Sequence, residues 1–252
     1  MLKIALISTL LVSPLLAQAP AAPAAPAPTI APEAEATHSA NTPAHKLKVG
    51  WWKKRHEQKV AAAKGAECEL LFIGDSITHG WENHGKKVWS EYYAKRKPFN
   101  IGFSGDKTEH VLWRFDNGEL AQFKPKVAVI MIGTNNTGHI MQKADETADG
   151  IKAIITKLHK HSPDTKILLL AIFPRGEKPD HKMRVLNTQI NNIIKTYDDG
   201  KTVHYLDMAP VFLTKDGILT KEVMPDRLHP REAGYKTWAV AMEPKLKELL
   251  GE

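Results

Sequence analysis

The sequence predicts an α/β domain in which a parallel five-stranded sheet is covered by helices on both faces. Two observations carry this. Short apolar runs recur at residues 69–73, 99–103, 126–132, 166–173 and 202–206. Between them lie longer segments with apolar residues at helical spacing, such as Ile151, Ile154, Ile155 and Leu158. Strands that are apolar on both faces and alternate with amphipathic helices build parallel sheets buried on both sides.

Taken in order, residues 46–64 read as a helix and residues 69–73 as the first strand. A helix over 86–97 leads to the second strand, and a short helix over 108–117 leads to the third, "KVAVIMI". Helical spacing over 143–161 precedes the fourth strand, and over 180–197 the fifth. Residues 230–250 form the final helix, with Pro230 accommodated in its first turn and a kink expected at Pro244. With the strand order 2-1-3-4-5, ligands bind beyond the carboxyl ends of strands one and three. The loops after those two strands should therefore face each other.

The start of the chain reads differently. Lys3 precedes an apolar run over 4–16, and Ala17-Gln18-Ala19 has the small-x-small form of a signal-peptidase site. Residues 1–19 are therefore expected to be a signal peptide, too short to span a bilayer comfortably. Residues 20–45, rich in Ala and Pro, read as a linker, and 46–252 as the folded domain. The protein is expected in the periplasm or outside the cell, with no stable membrane insertion after cleavage. The only cysteine, Cys68, allows no intramolecular disulfide and lies too far from the apolar run for lipid modification at the cleavage site. The net charge of +7 is spread along the chain, with no zinc-finger spacing, basic helix or RNA-binding signature, so no nucleic-acid partner is expected. No metal-binding spacing occurs among the twelve histidines, and neither metal nor cofactor is expected.

Two candidate motifs crowd the end of the first strand. Residues 80–87 nearly spell the phosphate-binding G-x-x-x-x-G-K-[ST]. However, Lys87 stands where the hydroxyl belongs, and the pattern begins too far beyond the strand. The other is Gly74-Asp75-Ser76-Ile77. Further along, "NIGFSGD" holds Gly102 and Gly105, "GTNN" holds Asn135, and "PDRLHP" holds Asp226 and His229. Singly, each has a plainer reading as a cap or a turn. Together they fall where this topology places its crevice, and they form a complete set for acyl transfer. Ser76 needs a base, which His229 can supply, and the imidazole needs a partner, which Asp226 can supply across three residues. The N–H groups of Ser76 and Gly105 and the side-chain amide of Asn135 can donate to an oxyanion.

The blocks "LFIGDSITHGW", "NIGFSGDKTEHVLWRFDNGEL", "KVAVIMIGTNN", "LAIFPRGEKP" and "DRLHPREAGY" resemble the SGNH (GDSL-type) hydrolases. The similarity is greatest to the subgroup of platelet-activating factor acetylhydrolase alpha subunits and their bacterial relatives. It covers nearly all of residues 70–235. It implies a three-layer α/β/α, flavodoxin-like fold and ester hydrolysis without metal or cofactor. It maps Ser76, Asp226 and His229 as catalytic residues, and Ser76, Gly105 and Asn135 as the oxyanion hole. It favours Gly105 over Gly102, because the subgroup's donor directly precedes an Asp, here Asp106. Many family members carry Asp after the block-three Asn, where this chain has Asn136. Dimers occur among relatives, so a homodimer is an expectation by analogy.

Asp75, Arg175 and Trp81 are the candidate substrate-binding residues, with Asp75 expected chiefly to organise its turn. Arg175 is placed to meet a substrate carboxylate or sugar. Trp81, with Trp89 and Trp113, offers a sugar platform, although at least two of the three are expected to pack into the core. Trp51 and Trp52 are expected to anchor the first helix. The substrate reading is a short acyl ester, acetyl first, on a carbohydrate. A lipid ester is the alternative, and a non-catalytic polysaccharide-binding module is disfavoured by the intact set.

Overall fold

A computed structural model describes residues 37–252 except 121 and 122. The expectations for residues 1–19 and 20–36 lie outside the described residues. Five strands form an all-parallel sheet: β1 (Leu70–Gly74), β2 (Pro98–Gly102), β3 (Val127–Met131), β4 (Lys166–Leu170) and β5 (Val203–Leu206). Their order is β2-β1-β3-β4-β5, as the crevice argument required. In chain order the helices are α1 (Gly50–Ala63), α2 (Ser76–His79), α3 (Lys86–Tyr92), α4 (Thr108–Asp116) and α5 (Thr134–Ile140). They continue with α6 (Ala144–His161), α7 (Lys182–Ile194), α8 (Ala209–Phe212) and α9 (Glu232–Leu250).

The strand pleat divides the core into two halves. Leu71, Ile73, Ala128, Ile130, Ile167 and Leu169 face one side, where α4, α6 and α7 cover them. Their neighbours Leu70, Phe72, Val127, Val129, Leu168 and Leu170 face the other, under α3, α8 and α9. This gives the three-layer α/β/α arrangement, with both faces buried. Pro244 lies inside α9 on its exposed side, and the helix continues to Leu250.

Several boundaries move for local reasons. The helix expected over 86–97 stops at Tyr92, followed by a 3-10 turn at Ala94–Arg96. Lys97 then turns left-handed (φ 45°), and a residue before proline disfavours helix in any case. The final helix begins at Glu232, because Arg231 is still extended.

The expected linker end at residue 45 is corrected, because residues 37–45 pack on the domain. Ala40 is fully buried within a 3-10 turn, its carbonyl accepts from Thr108 Oγ1 at 2.8 Å, and Ala44 N–H donates to Glu109 O at 3.1 Å. Low hydrophobic periodicity hid this strap, because its anchors are scattered hydrogen bonds and a single buried alanine rather than an apolar face.

Candidate active site

The parallel register brings three loops together. Gly74 of β1 lies beside Gly102 of β2 and Met131 of β3. Ser76, Gly105 and Asn135 follow these positions by two to four residues, at the carboxyl ends of three adjacent strands.

Ser76 is the first residue of α2, where backbone N–H groups lack an intrahelical acceptor. Asp75 caps that helix, its carboxylate accepting from Ile77 N–H at 3.0 Å. Tyr235, from α9, donates its hydroxyl to Ile77 O at 2.7 Å and fixes the turn from below. Any side chain at Gly80 would strike that hydroxyl.

Asp226 and His229 come from a turn that precedes α9, which corrects their expected place at the start of the last helix. Asp226 Oδ1 accepts from the backbone N–H groups of Leu228 (3.1 Å) and His229 (2.7 Å). Its other oxygen, Oδ2, lies 2.6 Å from His229 Nδ1. Burial opposes the charge on Asp226, but the hydrogen bonds from His229 outweigh it and hold the carboxyl below its ordinary pKa. With Nδ1–H donated to this carboxylate, Nε2 is left as an acceptor, and it lies 2.8 Å from Ser76 Oγ.

The side-chain amide of Asn135 donates one hydrogen to Asp106 O at 2.9 Å, so the β3 loop is tied to the β2 loop. Gly105 has φ 73°, a conformation that favours glycine. Gly102 is excluded as an oxyanion donor, because its N–H is taken by Asn100 Oδ1 at 2.7 Å and it lies inside β2. Asn136 is turned away into a buried network. Its amide donates to Thr108 Oγ1 and Gln142 Oε1, and its oxygen accepts from Thr108 N–H.

Two of the candidate substrate contacts, Trp81 and Asp75, are enclosed by the protein. Trp81 is fully buried among Phe72, Tyr93, Tyr235 and Trp238, so it cannot touch substrate. Trp89 and Trp113 are also packed against other rings, and the proposed platform does not exist. Asp75 is 1% exposed and serves as the cap, with no open face for a ligand. Arg175 donates to Thr134 O at 2.7 Å and lines a neighbouring 410 Å³ cleft, which shares Asp226 with the Ser76 crevice. The Ser76 crevice itself is about 220 Å³, lined by His79, Asn83, His84, Ser104, Asp226, His229 and Arg231 among others. A larger cleft, 520 Å³, between α3 and α9 has no nucleophile–base pair.

His79 and Ser104 carry no sequence signal and became visible only here. His79 Nδ1 lies 3.0 Å from Ser104 Oγ, and burial together with the charge of Arg55 lowers its pKa to about 4, so it is neutral near pH 7. Trp51, 47% exposed, stacks on His79 at 6.4 Å and 25°, whereas Trp52 is the buried anchor of α1. The exposed aromatic ring near the crevice is therefore Trp51, not Trp81.

Burial pushes the Asp75 carboxyl up to about 7, with Asp106 adding to the shift and the Ile77 N–H and Arg175 opposing it. The ordinary value is 3.8, so the folded chain keeps this proton over a range in which the unfolded chain has lost it. The contribution of Asp75 to stability is full below that ordinary value and fades as pH rises through about 7. Asn at 75 keeps the cap but cannot ionise. The melting temperature of Asp75→Asn is therefore expected to gain on that of the native chain between about pH 5 and about pH 8. Parallel curves would mean that Asp75 stays in one protonation state throughout.

A family profile described as the GDSL-like lipase/acylhydrolase family matches residues 72–237, a span that includes every residue of the relay. The chain belongs to this family. It is 36% identical over 204 residues to platelet-activating factor acetylhydrolase IB subunit alpha1 of Homo sapiens, covering 81% of this chain and 86% of that protein. Among solved structures it is similar to a GDSL-like lipase from Bacteroides thetaiotaomicron (TM-score 0.61, 21% identity, 77% of this chain and 97% of that one). It is also similar to an acetylxylan esterase from Geobacillus stearothermophilus (TM-score 0.57, 20% identity, 74% and 96%). At those identities the two structures speak for the fold alone. This GDSL-like acylhydrolase is an ester hydrolase with the SGNH fold.

Proposed function

We propose that the protein is an exported serine esterase that removes short acyl groups, acetyl first, from an O-acylated carbohydrate. The observation that carries the mechanism is the relay Asp226–His229–Ser76, at 2.6 and 2.8 Å. In it His229 takes the Ser76 proton as Oγ attacks the ester carbonyl, and Asp226 stabilises the imidazolium. The oxyanion is held by the N–H groups of Ser76 and Gly105 and by the second amide hydrogen of Asn135. The proton on His229 then goes to the leaving alcohol, and a water activated by His229 frees the acyl-enzyme.

Crevice size and lining favour the substrate class. The 220 Å³ volume suits a small acyl group, and its polar rim of His79, Asn83, His84, Ser104 and Arg231 offers hydrogen bonds to sugar hydroxyls. Trp51 offers a flat apolar ring beside that rim. The second reading, an acetyl ester of a phospholipid, is favoured by the name of the 36% identical relative. Export rests on residues 1–19; among the described residues no helix is long and apolar enough to cross a membrane.

The test is an acyl series from acetyl to octanoyl p-nitrophenyl esters, run beside acetylated xylo-oligosaccharides and a phospholipid-type acetyl ester. Acetyl should be fastest in the series. Trp51→Ala should lower kcat/KM on the oligosaccharide by about tenfold, equivalent to about 1.4 kcal/mol, and leave p-nitrophenyl acetate unchanged. Faster turnover of the phospholipid-type ester, with no effect of Trp51→Ala on the sugar, would transfer the assignment to lipid.

A further inference from the structure

Behind the crevice lies a buried charged cluster that the relay does not use. At its centre is Asp106, whose side chain is fully buried. Its Oδ1 accepts from Trp52 Nε1 at 2.7 Å, and its Oδ2 accepts from Arg114 Nε at 2.9 Å. Lys46 Nζ stands 3.5 Å from Oδ1. Arg114, also fully buried, continues to Glu119, and Glu119 continues to His56 Nδ1 at 3.1 Å. The Arg114 guanidinium sits 4.0 Å over the Phe103 ring, two residues before Gly105.

The backbone of Asp106 links this cluster to the loops of Gly105 and Asn135. Its carbonyl accepts from the Asn135 amide at 2.9 Å, and its N–H donates to Phe103 O at 3.1 Å, closing the turn that contains Gly105. The Gly105 carbonyl accepts from Lys46 Nζ at 3.1 Å. Both proposed non-serine oxyanion donors are thus attached to one residue. Gly105 precedes Asp106 in the turn, and Asn135 is oriented by the Asp106 carbonyl. One amide hydrogen of Asn135 is used there, which leaves the other to point elsewhere.

Burying carboxylates at Asp106 and Glu119 is costly, and a hydrophobic contact would fill the same space at no such cost. What the ionic arrangement adds is direction. An indole N–H from α1 and the ammonium of Lys46, just before α1, meet one oxygen, and a guanidinium from α4 meets the other, so both carboxylate oxygens are fixed. Preorganised donors are effective in proportion to how little they move when charge develops.

We propose that Asp106 is a positioning residue for the oxyanion hole, held in place by Trp52, Arg114 and Lys46. The inference rests on the oxyanion role proposed for Gly105 and Asn135.

The test uses two mild variants. Trp52→Phe removes one N–H and keeps the aromatic packing. Lys46→Met removes an ammonium from a partly exposed site. On p-nitrophenyl acetate, each should lower kcat by about 10- to 100-fold with KM unchanged, since a small displacement of a transition-state donor acts on the chemical step. Both losses should shrink to about threefold or less when introduced into Asn135→Ala, because a donor already removed cannot be misplaced. If both variants keep full kcat and only the melting temperature moves, Asp106 is structural and the inference fails. It fails equally if the losses are undiminished in Asn135→Ala. Ser76→Ala, measured alongside, separates this from the mechanism. Activity retained there overturns the serine reading itself, whereas an inactive Ser76→Ala beside full-speed Trp52→Phe and Lys46→Met overturns only the role of Asp106.

Discussion

Ser76→Ala is expected to lower kcat on p-nitrophenyl acetate by about 10⁶-fold, the scale on which triad nucleophiles act in serine hydrolases. The residual rate comes from the donors and from binding, which alanine leaves intact. Asp226→Asn should cost less, about 10⁴-fold. Asparagine keeps an oxygen to accept from the Leu228 and His229 N–H groups, so the turn survives. Its amide, however, places a donor against His229 Nδ1 and reverses the tautomer that Ser76 requires. Stopped assays on purified variants with matched circular dichroism read both numbers. Wild-type rates in Asp226→Asn would reduce Asp226 to a turn former.

Arg114→Leu is expected to destabilise the fold by about 3–5 kcal/mol, because it strands two buried carboxylates. Asp106 and Glu119 both bond Arg114, and all three side chains have 0% exposure. Burial already raises the Asp106 carboxyl to about 6 against the pull of Arg114 and Lys46. Removing Arg114 takes away the stronger of those two pulls. For a domain of this size the loss corresponds to a melting temperature lower by roughly 6–20 °C. A shift within about 2 °C in a thermal scan would show that the cluster contributes little to stability. Arg114→Lys should fall between, since an ammonium meets one carboxylate but lacks the planar fork that joins both.

Much of the fold was legible because its signals are periodic. The five apolar runs, the helical spacing of Ile151 to Leu158 and the final helix all rest on side-chain alternation, which survives in one dimension. The elements that the periodicity does not show are short, and α2, α5 and the strap are largely polar. α2 exists because Asp75 caps it and Tyr235, 158 residues away in the chain, holds Ile77 O. α5 is held by Thr137 and Asn136 bonding Asn187, Thr108 and Gln142. The strap over 37–45 is held by isolated polar contacts and the one buried Ala40. None of these has a period.

The site divides along the same line. Ser76, Gly105, Asn135, Asp226 and His229 stand in short motifs whose residue types point to acyl-transfer chemistry, and the sequence by itself was enough to propose that set and to determine the topology that gathers it. It also permitted Gly102 as a donor and Trp81 as a platform. Only the folded structure removed them, because the Asn100 side chain, two residues earlier on the same strand, occupies the Gly102 N–H and the core encloses Trp81. Tertiary structure alone also brought Trp51 to His79, and Trp52, Arg114 and Lys46 to Asp106. The reason is physical: chemical identity is local to a residue, but burial and hydrogen-bond direction are set by how neighbours are oriented in the fold, whether two positions away, as Asn100 is from Gly102, or 54, as Trp52 is from Asp106.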